Sequence, residues 1–131
     1  MGDGPQKNIV LIMADQMSAA HLHCYGSPVA ATPTLDALAA EGTQFTRCYA
    51  SSPVCTPNRA CLLTGRSPAA HGMVSNNFCL PPHIPTYAHV LGYHGYHVTG
   101  FGKFHQTPMP WPHAADYRHL GFHETLITED P

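Results

Sequence analysis

The chain has 131 residues, 44% of them hydrophobic, which is one ordinary domain's length with enough apolar material for a core. Charged residues make up only 11%, against roughly 25% in a typical soluble domain, and the net charge is −2 with neutral histidines. Lys and Arg are scattered singly, which excludes a nucleic-acid surface built on a basic stripe, and no apolar run nears the ~18 residues that span a membrane.

The five cysteines, at 24, 48, 55, 61 and 79, are odd in number and form no CxxC pair, so they fit neither a zinc site nor a compact disulfide framework. The start, MGDGPQKN, has no charged region leading into an uninterrupted apolar one, and the expectation is a soluble, cytoplasmic chain.

In chain order, NIVLIMAD (8–15) is a branched apolar run ending on Asp15, the pattern of a strand covered on both faces of a parallel sheet. ATPTLDALAAEG follows with Thr32 as N-cap, Pro33 in the first turn, Gly42 as stop, and Leu35, Leu38 and Ala39 on one face. TQFTRCYA (43–50) is β-branched and aromatic enough for a short second strand. SSPVCTPNRACLLTGR then repeats the helix punctuation, with Thr56 as cap, Pro57 in the first turn and Gly65 at the close. Cys55 would thus lie just before a helix N-terminus, where free backbone N–H groups favour negative charge. TYAHVLGYHGY places Tyr87, Val90 and Leu91 on one helical face, and HVTGFGKFH reads as a strand ending in Lys103 and His105. QTPMPWPHAADY (106–117) reads as irregular surface loop. The order β-α-β-α-α-β argues for an α/β fold, a largely parallel sheet flanked by helices.

Ligands in open α/β sheets bind beyond the carboxyl ends of the strands. Asp15 follows the first expected strand, Cys55 the second, and Lys103 and His105 the last; parallel strands would gather them at one rim. That rim would hold an oxygen ligand for a hard cation, a candidate nucleophile, two cations and a candidate general acid, a set suited to an anionic ester. Each residue also has a plain structural reading. Asp15 can cap a turn, Cys55 can be a buried thiol, Arg59 can pair with a nearby acid in water, and Lys103 and His105 can simply end a strand.

CTPNRACLLTG closely resembles the signature of the sulfatase family, within the alkaline-phosphatase-like superfamily: Cys-x-Pro-x-Arg, then an apolar stretch into Thr-Gly. NIVLIMADQ resembles the family's first strand and metal-binding turn, and GYHVTGFGKFH its second motif, Gly-Tyr-x-Thr ending in Gly-Lys-x-His. The resemblance implies that Cys55 is oxidised by a formylglycine-generating enzyme to formylglycine, whose hydrated aldehyde attacks sulfur or phosphorus and later expels the bound sulfate. It implies that Arg59 holds that group and that Lys103 and His105 bind it and the anionic oxygens of a small sulfate ester. It also implies that Asp15, Gln16 and the modified Cys55 meet a divalent cation, usually calcium.

Two positions depart from the usual pattern. Gln16 stands where many members have a second Asp, and Asn58 where Ser or Ala is usual. Family members are also several-fold longer, so residues 1–131 are expected to be the N-terminal part of one catalytic domain, with further metal and substrate residues downstream. Two other readings stay open. One is a phosphonate or phosphate ester hydrolase with the same nucleophile, suggested by faint likeness to choline-sulfatase-like and phosphonate-hydrolase-like branches. The other is a non-catalytic anion-binding fragment whose Cys55 is never oxidised.

Overall fold

Apolar residues are spread along the sequence, but burial is not. The computed structural model describes residues 6–107 and 116–128, so positions 108–115 of the expected surface loop lie outside the described residues. The chain divides into two units, Met1–Cys48 and Tyr49–Pro131.

In the first unit the apolar run 8–15 is extended without being a strand. Ile9, Val10 and Ile12 are 61%, 81% and 87% exposed. Residues 43–50 form no strand either. Both expectations are corrected for one physical reason. A strand exists only when a neighbour completes its ladder of N–H and C=O groups, and among the described residues neither segment has one.

Regular structure in this unit is two single 3₁₀ turns, Ala19–His21 and His23–Tyr25, then α1, Pro33–Glu41. Thr32 does hold the N-cap position, yet its hydroxyl does not cap the helix. It accepts from the His23 N–H at 3.0 Å and donates to Asp36 at 3.1 Å. Asp36 also accepts from the Cys24 N–H at 2.8 Å, so these bonds tie α1 to the preceding turn. Gly42 closes α1 as expected, its N–H on the Leu38 carbonyl. No α1 residue is buried, and Leu38 of the expected apolar face is 67% exposed.

The second unit carries α2 (Cys55–Thr64), α3 (Pro68–His71), α4 (Tyr87–Tyr93), β1 (Thr99–Gly102) and β2 (Glu124–Ile127). The strands pair in parallel, with Thr99 opposite Glu124 and Gly102 opposite Ile127. This is the α/β class with parallel pairing and flanking helices that the sequence leads one to expect. β2 itself, in the unremarkable ETLI, was not among the expected elements.

The core is drawn from α2, the loops around α3, and the segment 117–122. Ala60, Met73, Ala88, Tyr117 and Leu120 are wholly buried. Thr86 and His89 form a capping box at the start of α4, and the Thr86 hydroxyl also donates to the Leu120 carbonyl. Chain 118–122 therefore presses directly on the first turn of α4. Gly121 makes this possible: at φ +92°, an added Cβ would lie 2.5 Å from the His89 nitrogen and 2.9 Å from the Ala88 carbonyl carbon. Because of this contact α4 turns Ala88 to the core, and Val90, expected there, is 52% exposed. Gln106 and Tyr117, both buried, likewise correct the surface-loop reading at its two edges.

Candidate active site

α2 begins at Cys55 itself, not after it, which corrects the expected cap. Val54 is the extended N-cap residue, and Thr56 and Pro57 lie inside the first turn, where the missing N–H of Pro57 is harmless. Val54 has no side chain able to satisfy the first amides. The side chain of Asn76, twenty residues on, does so instead, its oxygen accepting from the Thr56 N–H at 3.0 Å. Cys55 is half-buried at the N-terminal end of a ten-residue helix, beside a fully buried Thr56.

Arg59 is four residues further on, hence on the same helical face as Cys55. It is 7% exposed, and its Nη1 donates to the main-chain carbonyl of Lys103 at 2.6 Å. That bond joins the start of α2 to the chain leaving β1. Lys103 immediately follows the last strand residue, and His105, 5% exposed, sits in the left-handed region at φ 52°. Between them Phe104 stacks on Tyr117 with centroids 5.1 Å apart and meets Phe122 edge-on at 5.0 Å. Gly100 has no side chain because the Phe104 ring occupies the space a Cβ would take.

The buried thiol weighed for Cys55 is found one turn and a half later, at Cys61. Its Sγ lies 3.3 Å from Nε2 of His71, while Nδ1 of His71 accepts the Met73 N–H at 3.1 Å. The ring proton is therefore on Nε2, donated to sulfur. Burial holds the His71 imidazole below its usual 6.5, partly offset by a backbone hydrogen bond, so the ring is neutral.

Structure thus brings together Cys55, Arg59 and the Lys103–His105 turn. Asp15 and Gln16 belong to the first unit, adjacent and exposed in a turn where Gln16 takes φ 55°. A carboxylate beside an amide is a hard-oxygen pair of the kind calcium accepts, but calcium takes about six to eight such oxygens. Among the described residues no group of three or more His, Cys, Asp or Glu could hold a metal. The pair fits a contribution to a cation site, not a whole one.

Asn76 and Gln106 escaped the sequence reading. Asn76 sits in an Asn-Asn dipeptide that signals a turn but not its partner; Gln106 carries no sequence signal.

A family model described as Sulfatase matches residues 7–130. Arylsulfatase A of Homo sapiens is 43% identical over 125 residues, covering 87% of this chain and 25% of that protein. The crystal structure of the phosphonate monoester hydrolase of Agrobacterium radiobacter aligns with a TM-score of 0.73 at 30% identity, over 87% of this chain and 24% of that one. A structure solved in complex with its substrate D-glucosamine-2-N,6-O-disulfate aligns with a TM-score of 0.70 at 30% identity, over 82% and 20%. The chain spans a quarter or less of these three proteins.

Proposed function

This chain belongs to the sulfatase family, and from that premise we propose that its protein hydrolyses sulfate esters at a site where Cys55, Arg59, Lys103 and His105 surround the sulfur. The observation that carries the reading is the Arg59–Lys103 hydrogen bond, which gathers the head of α2 and the end of β1 into one place. In that arrangement the positive end of the α2 dipole and the Arg59 cation favour negative charge at position 55. The Lys103 ammonium and the His105 imidazole bind the anionic oxygens of the ester and orient it toward position 55. Charge of one sign collected on rigid elements lowers the barrier by electrostatic preorganisation.

Formylglycine in place of Cys55 supplies a nucleophilic hydroxyl together with its own means of releasing sulfate. A divalent cation, calcium by the family resemblance, would take Asp15 and Gln16 among its oxygen ligands and would supply positive charge to an anionic ester.

The test is chemical. The chain is co-expressed with a formylglycine-generating enzyme, and the tryptic peptide Cys48–Arg59 is weighed after aldehyde-specific labelling. A labelled aldehyde at Cys55 is expected. An intact thiol there would remove the nucleophile and leave an anion-binding fragment as the better account.

A second reading, phosphonate or phosphate ester hydrolysis with the same nucleophile, draws support from the likeness to the phosphonate monoester hydrolase. Aryl sulfate and phenyl phosphonate esters, assayed side by side on an enzyme carrying the downstream residues, separate the two by their relative kcat/KM.

A further inference from the structure

Lys103 and His105 leave β1 on a turn that is not self-supporting. The left-handed backbone at His105 is unfavourable for a residue with a Cβ, and such a conformation persists only where its surroundings over-determine it. Three successive carbonyls run through this turn, and each has a side-chain donor. Arg59 takes that of Lys103, while a single group, the Gln106 Nε2, donates to both Phe104 and His105 at 3.1 Å each. The Phe104 and His105 carbonyls flank the two torsions of His105. An amide that holds both of them fixes the left-handed backbone between them. Gln106 is itself immobilised, 1% exposed, with its own N–H on the Tyr117 hydroxyl at 3.2 Å.

A plain alternative is that Gln106 merely fills the core. Against it stands the Oε1 of the same amide, buried and without a hydrogen-bond partner among the described residues. A buried acceptor left unmade is destabilising, and an apolar side chain of equal volume would avoid it. The amide is worth having here for its donors alone. We propose that Gln106 is a positioning residue: its amide clamps the turn that presents Lys103 and His105 to the substrate anion. This role rests on the sulfate-ester reading of the site.

The experiment compares the isotope-labelled 131-residue chain with Gln106→Glu and Gln106→Met by NMR, using inorganic sulfate as the probe. Glutamate keeps the shape and loses both donors; methionine keeps the volume and loses all polarity. In the wild type, His105 is expected to show left-handed backbone shifts, and sulfate is expected to move the Lys103 and His105 resonances. In both variants His105 should leave the left-handed region and sulfate affinity should fall at least about tenfold, with the Tyr117 and Leu120 core signals unchanged.

A left-handed His105 with unaltered sulfate affinity in both variants would overturn the clamp alone. No sulfate response in the wild type would overturn the sulfate reading and the presenting role with it. Loss of the core signals in both variants would also overturn the proposal, because Gln106 would then serve the core and not the turn.

Discussion

The two units are made from similar material and use it differently. Unit one contains Ile9, Val10, Leu11, Ile12, Val29, Leu38 and Phe45, all more than half exposed; Ser27 is its one buried residue among those described. Unit two buries Leu63, Met73, Leu80, Ile84, Val98, Tyr117, Leu120 and Phe122 in one cluster. The difference lies in pairing and long-range anchoring. In unit two, β1 has a parallel neighbour, α2 a distant cap, and α4 a loop pressed on its first turn. In unit one, α1 is held by hydrogen bonds around Asp36 with little apolar burial behind them. Hydrophobic composition supplies the possibility of a core; partners for the backbone decide whether one forms.

Hydrogen exchange breaks this comparison most severely if it is wrong. Amides of residues 9–13 should exchange near the rate of an unstructured peptide, and those inside α2 about 10³-fold slower or more. Comparable protection in both would mean that the apolar run is paired after all. Next in size is Gly121→Ala. The added methyl would meet main-chain atoms of Ala88 and His89 that cannot rotate away, at a φ that disfavours a Cβ. A loss of about 3 kcal/mol in denaturant unfolding is expected. Gly100→Ala collides instead with the Phe104 ring, a side chain that can swing at the loss of its stacking on Tyr117. About 2 kcal/mol is expected, together with loss of any sulfate response at Lys103.

What the sequence disclosed, and what it did not, follows the same division. Punctuation by Pro57 and Gly65 marked α2 because a left-handed glycine stop and a first-turn proline are local matters. The α/β class with parallel pairing was read correctly, although two of the three strands in the expected order do not form and the neighbour of β1 was not expected. Thr56 was misread as the cap because the atom that satisfies the helix start lies on Asn76, far along the chain. The run 8–15 has every local mark of a buried strand, but strandedness belongs to a pair. Val90 and Ala88 differ in burial because Gly121 contacts the first turn of α4, a contact no periodicity encodes. The Arg59–Lys103 tether joins residues both singled out in sequence, yet the Gln106 clamp beside it was invisible: its meaning lies in which carbonyls it reaches.

A smaller effect sharpens the description of unit two. His71 is buried and neutral, its imidazole held below the usual 6.5. The unfolded chain therefore binds the proton first as pH falls. His71's contribution is full above about 6.5 and declines below it, until the buried ring is itself protonated. Unfolding free energies of the wild type and His71→Asn, followed from about pH 8 to pH 5, should converge on acidification by on the order of 1 kcal/mol. Parallel curves would mean that the ring is accessible to protons in the folded chain.

The smallest effect tests unit one directly. Leu38 is two-thirds exposed in the middle of α1, so truncating it removes little area already withdrawn from water. Alanine is also at least as good a helix former, and the capping at Gly42 uses the main chain of residue 38, which is untouched. Leu38→Ala should therefore leave α1 helicity and unfolding free energy within about 0.5 kcal/mol of the wild type. A loss of about 2 kcal/mol, the lower range for a buried leucine, would show that α1 does bury this side chain. The two units would then differ in degree of packing and not in kind.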